Sequence, residues 1–371
     1  MIPVNVPQLG AREKDLLNQC IDSGWISSDG PFVSQFEDSF ADFIGMKNAV
    51  AVTNGTAALE AALFAIGVKH GDEIIMPSFT IISCAIAALR FGAKPILIDI
   101  EPLTWNINTN LIEEKITKKT KAIMAVHMYG HPCNMDSILY LAKKYNLVII
   151  EDASQVHGAL FKNRKCGSIG HISTFSFYAN KILTTGEGGM VLSSNNKYAE
   201  RARSYRNLCF KKNRRFFHTE IGNNLRMTNI QAALGIAQLE KIHDFVEIKR
   251  KNGAIYQDYF SKVPGIKSQI EMPWARMVYW MYAIELDEKT GLNAKKLMER
   301  LSSFGIGTRP FFVGLHAQPA LREKGWYKGE KFPVTTKSSK QGLYLPSSLN
   351  LRKKDIKFVV DHVKKILERE I

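Results

Sequence analysis

Short apolar runs alternate with longer amphipathic stretches through the first two-thirds of the chain. The runs at 49–53, 72–77, 95–100, 122–127, 147–151, 173–177 and 189–192 are short and mostly rich in valine and isoleucine, and they predict strands. Between them, the spacing of apolar positions predicts helices over 12–23, 57–66, 81–91, 110–115 and 135–145. This rhythm implies an α/β fold with a mostly parallel sheet covered by helices on both faces. Ligands in such sheets bind beyond the carboxyl ends of the strands. From 228 to about 260 the pattern is helical throughout, with Ala232, Ala233, Ile236, Leu239 and Ile242 on one face. That stretch is expected to carry the chain from a large domain, 1–245, into a smaller C-terminal α+β domain, 246–371. The smaller part should hold a strand at 278–286, a helix at 294–304, a turn at 309–310 and an amphipathic helix from Lys354.

Composition narrows the class. At 371 residues, with 45% hydrophobic and 23% charged positions, the chain is an ordinary globular protein large enough for two domains. Its net charge of +15 suits nucleic acid, an anionic membrane surface or acidic small substrates. The basic residues are dispersed, with short runs only at 211–215 and 352–354 and no nucleic-acid-binding motif to focus them. Most of the excess therefore reads as solvated surface, and some of it would attract phosphate-bearing ligands. Neither a nucleic acid nor a membrane is an expected partner. Cys20, Cys84, Cys133, Cys166 and Cys209 are odd in number and never paired as Cys-x-x-Cys, which suits reduced thiols in a cytoplasm and argues against metal. No export signal and no membrane-spanning apolar run are visible.

The candidate chemistry clusters at strand ends. Lys181 closes a β-branched and aromatic strand and is followed by Thr184-Thr185-Gly186-Glu187-Gly188-Gly189. A lysine held there would be desolvated, with a lowered pKa and a nucleophilic amine. Asp152 ends the run 147–151 and reads either as a cap or as a carboxylate that pairs with a cationic ring nitrogen. Gln155, three residues on, is placed to hydrogen-bond a phenolic oxygen. Asn54-Gly55-Thr56-Ala57 follows a strand and opens a helix, which makes it an ordinary N-cap turn or an anion site. Ser176 is five residues before Lys181 and could reach the same anion. A strand-end lysine, a strand-end carboxylate and a glycine loop are the parts that a pyridoxal phosphate site requires.

In this order the motifs strongly resemble the DegT/DnrJ/EryC1/StrS family of fold-type I, pyridoxal phosphate-dependent sugar aminotransferases. The resemblance extends to Ser23-Gly24-Trp25-Ile26-Ser27-Ser28, Arg226-Met227-Thr228-Asn229, Arg309-Pro310-Phe311-Phe312 with His316, and Leu345-Pro346-Ser347. It implies that Lys181 holds the cofactor and moves the proton, that Asp152 pairs with the ring nitrogen, and that Gln155 meets the ring hydroxyl. Gly55, Thr56, Ala57 and Ser176 would bind the phosphate, joined by Asn224 from a second subunit in a homodimer. Trp25, Ser27, Arg309 and His316 would face the substrate. The stretch His127-Met128-Tyr129-Gly130 and the residues Asn213-Arg214-Arg215 are most similar to the branch that uses L-glutamate to aminate C4 of GDP-4-keto-6-deoxymannose.

Three positions depart from that branch. Ile81 stands where most relatives stack an aromatic residue on the cofactor ring, Asn223 replaces a usual aromatic, and Gln155 replaces a frequent glutamate. These changes bear on the keto acceptor, so a UDP- or dTDP-linked keto sugar or a small phosphorylated ketone such as dihydroxyacetone phosphate is the alternative. A non-catalytic basic regulatory or nucleic-acid-binding protein is the rival of another class. The intact set Lys181, Asp152 and Gln155 weighs against it.

Overall fold

The computed structural model describes residues 1–211 and 213–368. Lys212, within the basic run 211–215, and the last three positions of the range 246–371 lie outside the described residues. The strands are β1 (Asn48–Val52), β2 (Glu73–Pro77), β3 (Lys94–Ile98), β4 (Thr120–Val126), β5 (Val148–Asp152), β6 (Leu160–Phe161), β7 (Arg164–Lys165), β8 (Ile172–Ser176), β9 (Gly189–Ser193), β10 (Ile266–Ser268), β11 (Ala275–Arg276), β12 (Tyr282–Leu286), β13 (Arg309–Pro310) and β14 (Gly342–Leu345).

Seven of them form the central sheet, in the order β1-β9-β8-β5-β4-β2-β3. The pairs β2–β3, β2–β4, β4–β5 and β5–β8 are parallel, whereas β9 runs antiparallel to both β1 and β8. Because helices cover both faces, β5 reads Val-Ile-Ile-Glu-Asp with no polar alternation until its carboxyl end. The sheet is therefore mostly parallel, as its sequence pattern predicts. Helix α1 (Ala11–Ser23) and helix α2 (Pro31–Ile44) pack near the start of the chain, and helix α3 (Gly55–Ala65) lies against β8 and β9. The alanine-rich sequence of α3, buried on almost every side, permits that close approach.

A second, four-stranded antiparallel sheet, β10-β12-β14-β13, forms the C-terminal part and has its own apolar core around Tyr256, Ile284, Leu297, Leu343 and Val359. The helix Ile242–Phe260 joins the two cores, with Phe245 and Val246 in the first and Tyr256 and Phe260 in the second.

Several local expectations change. The predicted helix 110–115 is a pair of 3₁₀ turns, Thr109–Leu111 and Glu113–Lys115, too short for α-helical hydrogen bonding to propagate. The stretch 228–260 is two helices, Asn229–Leu239 and Ile242–Phe260. Lys241 leaves the helical region at the break, and its Nζ is held 3.0 Å from both carboxylate oxygens of Glu13. The strand expected at 278–286 begins only at Tyr282, since Tyr279 adopts a φ of +46°. The expected turn at 309–310 is the short edge strand β13. The helices Pro31–Ile44 and Asn196–Arg206 lie outside the helices that the sequence pattern predicts.

Candidate active site

The carboxyl ends of β1, β5 and β8 open onto one cavity of about 580 Å³. That volume suits a cofactor together with part of a substrate. Of the residues singled out in the sequence, Gly55, Thr56, Ala57, Ile81, Asp152, Gln155, Ser176 and Lys181 all line it. Chain positions more than a hundred residues apart converge because parallel strands deliver their carboxyl ends to the same edge of the sheet.

Lys181 does not close a strand as its sequence context predicts: β8 ends at Ser176, and the half-buried lysine lies beyond it in a turn closed by its N–H donating to the Tyr178 carbonyl at 2.9 Å. Burial pulls its amine down to about 8, and the negative charge of Asp152 opposes that fall. The Nζ atom sits 3.9 Å from the centre of the Trp280 ring. The turn that follows uses Gly186 at a φ of +81°, a region that favours glycine.

Asp152 is buried at the end of β5. Its Oδ1 accepts the Ser154 N–H at 3.1 Å, and its Oδ2 accepts the Cys84 thiol at 3.4 Å. The Gln155 Oε1 accepts the Tyr129 N–H at 2.7 Å, which fixes the side chain and leaves its amide nitrogen as the end available to the cavity. One residue layer back, buried Glu151 accepts the N–H groups of Gly167, Ile169 and Gly170 and bonds His127 Nε2 at 3.1 Å. Since His127 Nδ1 accepts the Cys133 N–H at 2.9 Å, the ring proton lies on Nε2.

At the other end of the cavity, the Asn54 side chain caps α3 by accepting the Ala57 N–H at 2.8 Å. Thr56 donates to the Ser83 hydroxyl at 2.9 Å. A Cβ added at Gly55 would lie 2.8 Å from the Cβ of Ser176, so the backbone here approaches more closely than any other residue would permit. The positive end of α3 and two hydroxyls form a cradle for an anion. An amine, a buried carboxylate and an anion cradle thus share one cavity, and these residues fit pyridoxal phosphate.

The remaining expected residues lie outside this lining in a single chain. Asn224 is exposed, and its side-chain oxygen accepts from Arg226 Nε at 3.0 Å. Trp25 and Ser27 lie in the α1–α2 connection, where their carbonyls accept from Asn229. Arg309 is exposed on β13. The His316 Nδ1 is 2.7 Å from the Ser78 hydroxyl and its ring stacks on Phe332, beside a separate groove that also contains Arg322, Trp326 and Lys328. Sequence reasoning missed Ser83, Asn180, Trp280, Phe312 and Tyr344, which also line the wall. Trp280 sits inside an apolar run, Met-Val-Tyr-Trp-Met-Tyr, that carries no signal except core packing.

The fold and the cavity define a pyridoxal phosphate-dependent aminotransferase. The DegT/DnrJ/EryC1/StrS aminotransferase family model matches residues 7–364, and the chain belongs to that family. It is 38% identical to the GDP-perosamine synthase of Caulobacter vibrioides, across 99% of this chain and 98% of that protein. It is 39% identical to the GDP-perosamine synthase of Escherichia coli O157:H7, across 98% and 97%. The aminotransferase TlmJ from Streptoalloteichus hindustanus superposes with a TM-score of 0.92 at 28% identity, across 100% of this chain and 99% of that one. No helix among the described residues is long and apolar enough to cross a membrane.

Proposed function

We propose that the chain transfers the amino group of L-glutamate to C4 of GDP-4-keto-6-deoxymannose. The observation that carries the chemistry is the desolvated Lys181 amine in one cavity with Asp152 and the Gly55–Ser176 cradle. The choice of acceptor is supported by similarity to the GDP-perosamine synthases.

When bound, pyridoxal phosphate supplies an aldehyde to hold the amino group and a ring that accepts the electron pair of a deprotonated carbon. The chain does the rest. Lys181 Nζ would hold the cofactor and, as the free amine, would move a proton on and off the reacting carbon. Asp152 would keep the ring nitrogen protonated, and its own position is fixed by Ser154 and Cys84. Gly55, Thr56, Ala57 and Ser176 would hold the phosphate, and Trp280 and Tyr344 are part of the cavity wall.

A homodimer with shared sites belongs to the same reading. Apolar side chains stand exposed in the segment that precedes Asn224, with Phe216 at 83% and Ile221 at 92%. Such surface suits burial against a second copy. An acceptor screen tests the proposal: purified holoenzyme and glutamate are incubated with GDP-, UDP- and dTDP-linked keto sugars and with dihydroxyacetone phosphate, and 2-oxoglutarate release is followed. Preference for the GDP sugar supports the reading. Preference for any other ketone overturns the acceptor and leaves the chemistry standing, and Lys181→Ala must lose turnover and visible absorbance together.

A further inference from the structure

Helix α8, as the segment Ile242–Phe260 is numbered once α4 (Ser83–Arg90), α5 (Met135–Tyr145), α6 (Asn196–Arg206) and α7 (Asn229–Leu239) are counted, presents a polar stripe to the second sheet. Lys249, Asn252 and Tyr256 donate to the carbonyls of Ser347, Ser348 and Pro346, the residues that follow β14. Lys249 is buried at 3% exposure, yet among the described residues its hydrogen-bond partners are carbonyls and not a carboxylate. Its second bond goes to the carbonyl of Trp280, at 2.9 Å. Trp280 is held at its other end as well, since its indole N–H donates to the Asn180 carbonyl at 2.8 Å, one residue before Lys181. Asn5 Nδ2 donates to that same carbonyl at 3.1 Å. The ring pinned in this way lies 3.9 Å from the Lys181 Nζ and nearly parallel to Tyr129, at 12°.

We propose that Trp280 is a positioning residue for the Lys181 amine, its indole face fixing where the amine rests, and that Lys249 sets the place of that ring through the Trp280 carbonyl. A cation above an indole face is stabilised by the ring quadrupole, most strongly where water is excluded. The other charged or titratable groups around Lys181 are Asp152, Glu187, Tyr178, Tyr344 and the buried His157, with the Glu60–Arg90 pair further along the wall. None of these places a π face over the amine among the described contacts. The inference takes Lys181 as the reacting amine, as proposed above.

The test uses apoprotein, so that it reads the amine and not the reaction. Competitive acetylation across pH, followed by peptide mass spectrometry, gives the half-labelling pH of Lys181 in wild type, Trp280→Leu and Trp280→Phe. Leucine keeps an apolar wall and removes the π face, so the half-labelling pH should fall by about half a unit to one unit. Phenylalanine should restore part of that shift. An unchanged value in the leucine variant overturns the role of Trp280, whatever acceptor the enzyme uses. If the leucine variant does not fold, the phenylalanine variant decides, with a smaller fall expected and no change contradicting the proposal. For Lys249, protein labelled with 5-fluorotryptophan has five tryptophans, and the Trp280→Phe variant identifies the Trp280 resonance by its loss. Lys249→Met should shift or broaden that line, and an unmoved line overturns the part assigned to Lys249.

Discussion

The Cys84 thiol donates to the Asp152 Oδ2 at 3.4 Å from within the first turn of α4, so the carboxylate expected to face the cofactor ring is steadied by a neutral sulfur. Burial, together with the charge of Asp152, pushes the Cys84 thiol well above its ordinary range, and the proton stays on sulfur. In the folded protein at pH 8, Cys84 should therefore resist iodoacetamide, and it should react only as fast as the chain unfolds. Cys84→Ala should fold and bind the cofactor several-fold more weakly, by about 1 kcal/mol, the worth of one hydrogen bond. Equilibrium titration of the apoprotein measures this, and unchanged affinity would remove the thiol from the account.

Gly55→Ala tests the anion cradle. The added methyl group meets Ser176 at 2.8 Å, and the phosphate-facing backbone has to move. Cofactor affinity should fall tenfold or more, roughly 1.4 kcal/mol, while the melting temperature of the apoprotein changes little. A variant that binds normally would place the phosphate elsewhere.

The pH dependence of cofactor uptake follows from Lys181. Only the neutral amine attacks an aldehyde, and burial brings its pKa to about 8. Uptake by apoprotein should therefore speed up as pH rises and level off above about 8. Stopped-flow absorbance reads this directly, and a rate that is flat from pH 6 to 9, on the order of the range where a free lysine stays protonated, would contradict the assignment. The stability sign is consistent. The unfolded lysine holds its proton to higher pH than the folded one, so the cost of burying the ammonium is relieved as pH climbs above the folded value.

Glu151 carries a stability prediction. Burial alone would raise its pKa, but the hydrogen bonds from His127 and from the Gly170 and Gly167 N–H groups outweigh burial and hold it low. With a depressed folded pKa, its contribution is complete above the unfolded carboxylate value and is lost as pH falls through the folded one. Glu151→Gln should cost roughly 2–4 kcal/mol at neutral pH, and the difference from wild type should shrink in acid. Urea denaturation at pH 7 and in acid well below the ordinary carboxylate value of roughly 4.3 compares the two, and equal losses at both would rule out the charged form as the source.

Shared sites can be tested by mixing inactive chains. In a homodimer where Asn224 serves the partner's cavity, a Lys181→Ala chain and an Asn224→Ala chain together rebuild one intact site. Random mixing makes half of the dimers hybrid with one working site each, so about a quarter of wild-type activity should return. No recovery after unfolding and refolding the mixture together would place Asn224 in its own chain's site, and an Asn224→Ala chain that is active alone would place it outside any site.

The sequence by itself determined the sheet and the reactive ends of its strands. Runs such as Val148–Asp152 are too short and too β-branched to be helices, and a parallel sheet leaves its strand ends together, so Asp152 and Gly55 group from the pattern alone, whereas Lys181 reaches the same cavity from a turn beyond β8. What only tertiary structure decided lies where a side chain's role depends on a neighbour distant in sequence. Trp280 reads as one more core aromatic until Lys249 and Asn180 pin it beneath an amine, and Cys84 reads as a small buried residue until its sulfur meets Asp152. The break at Lys241 was hidden for the same reason, since the ion pair with Glu13 joins residues 228 positions apart. Periodicity records which face of an element is buried, and it holds no record of what that face is buried against.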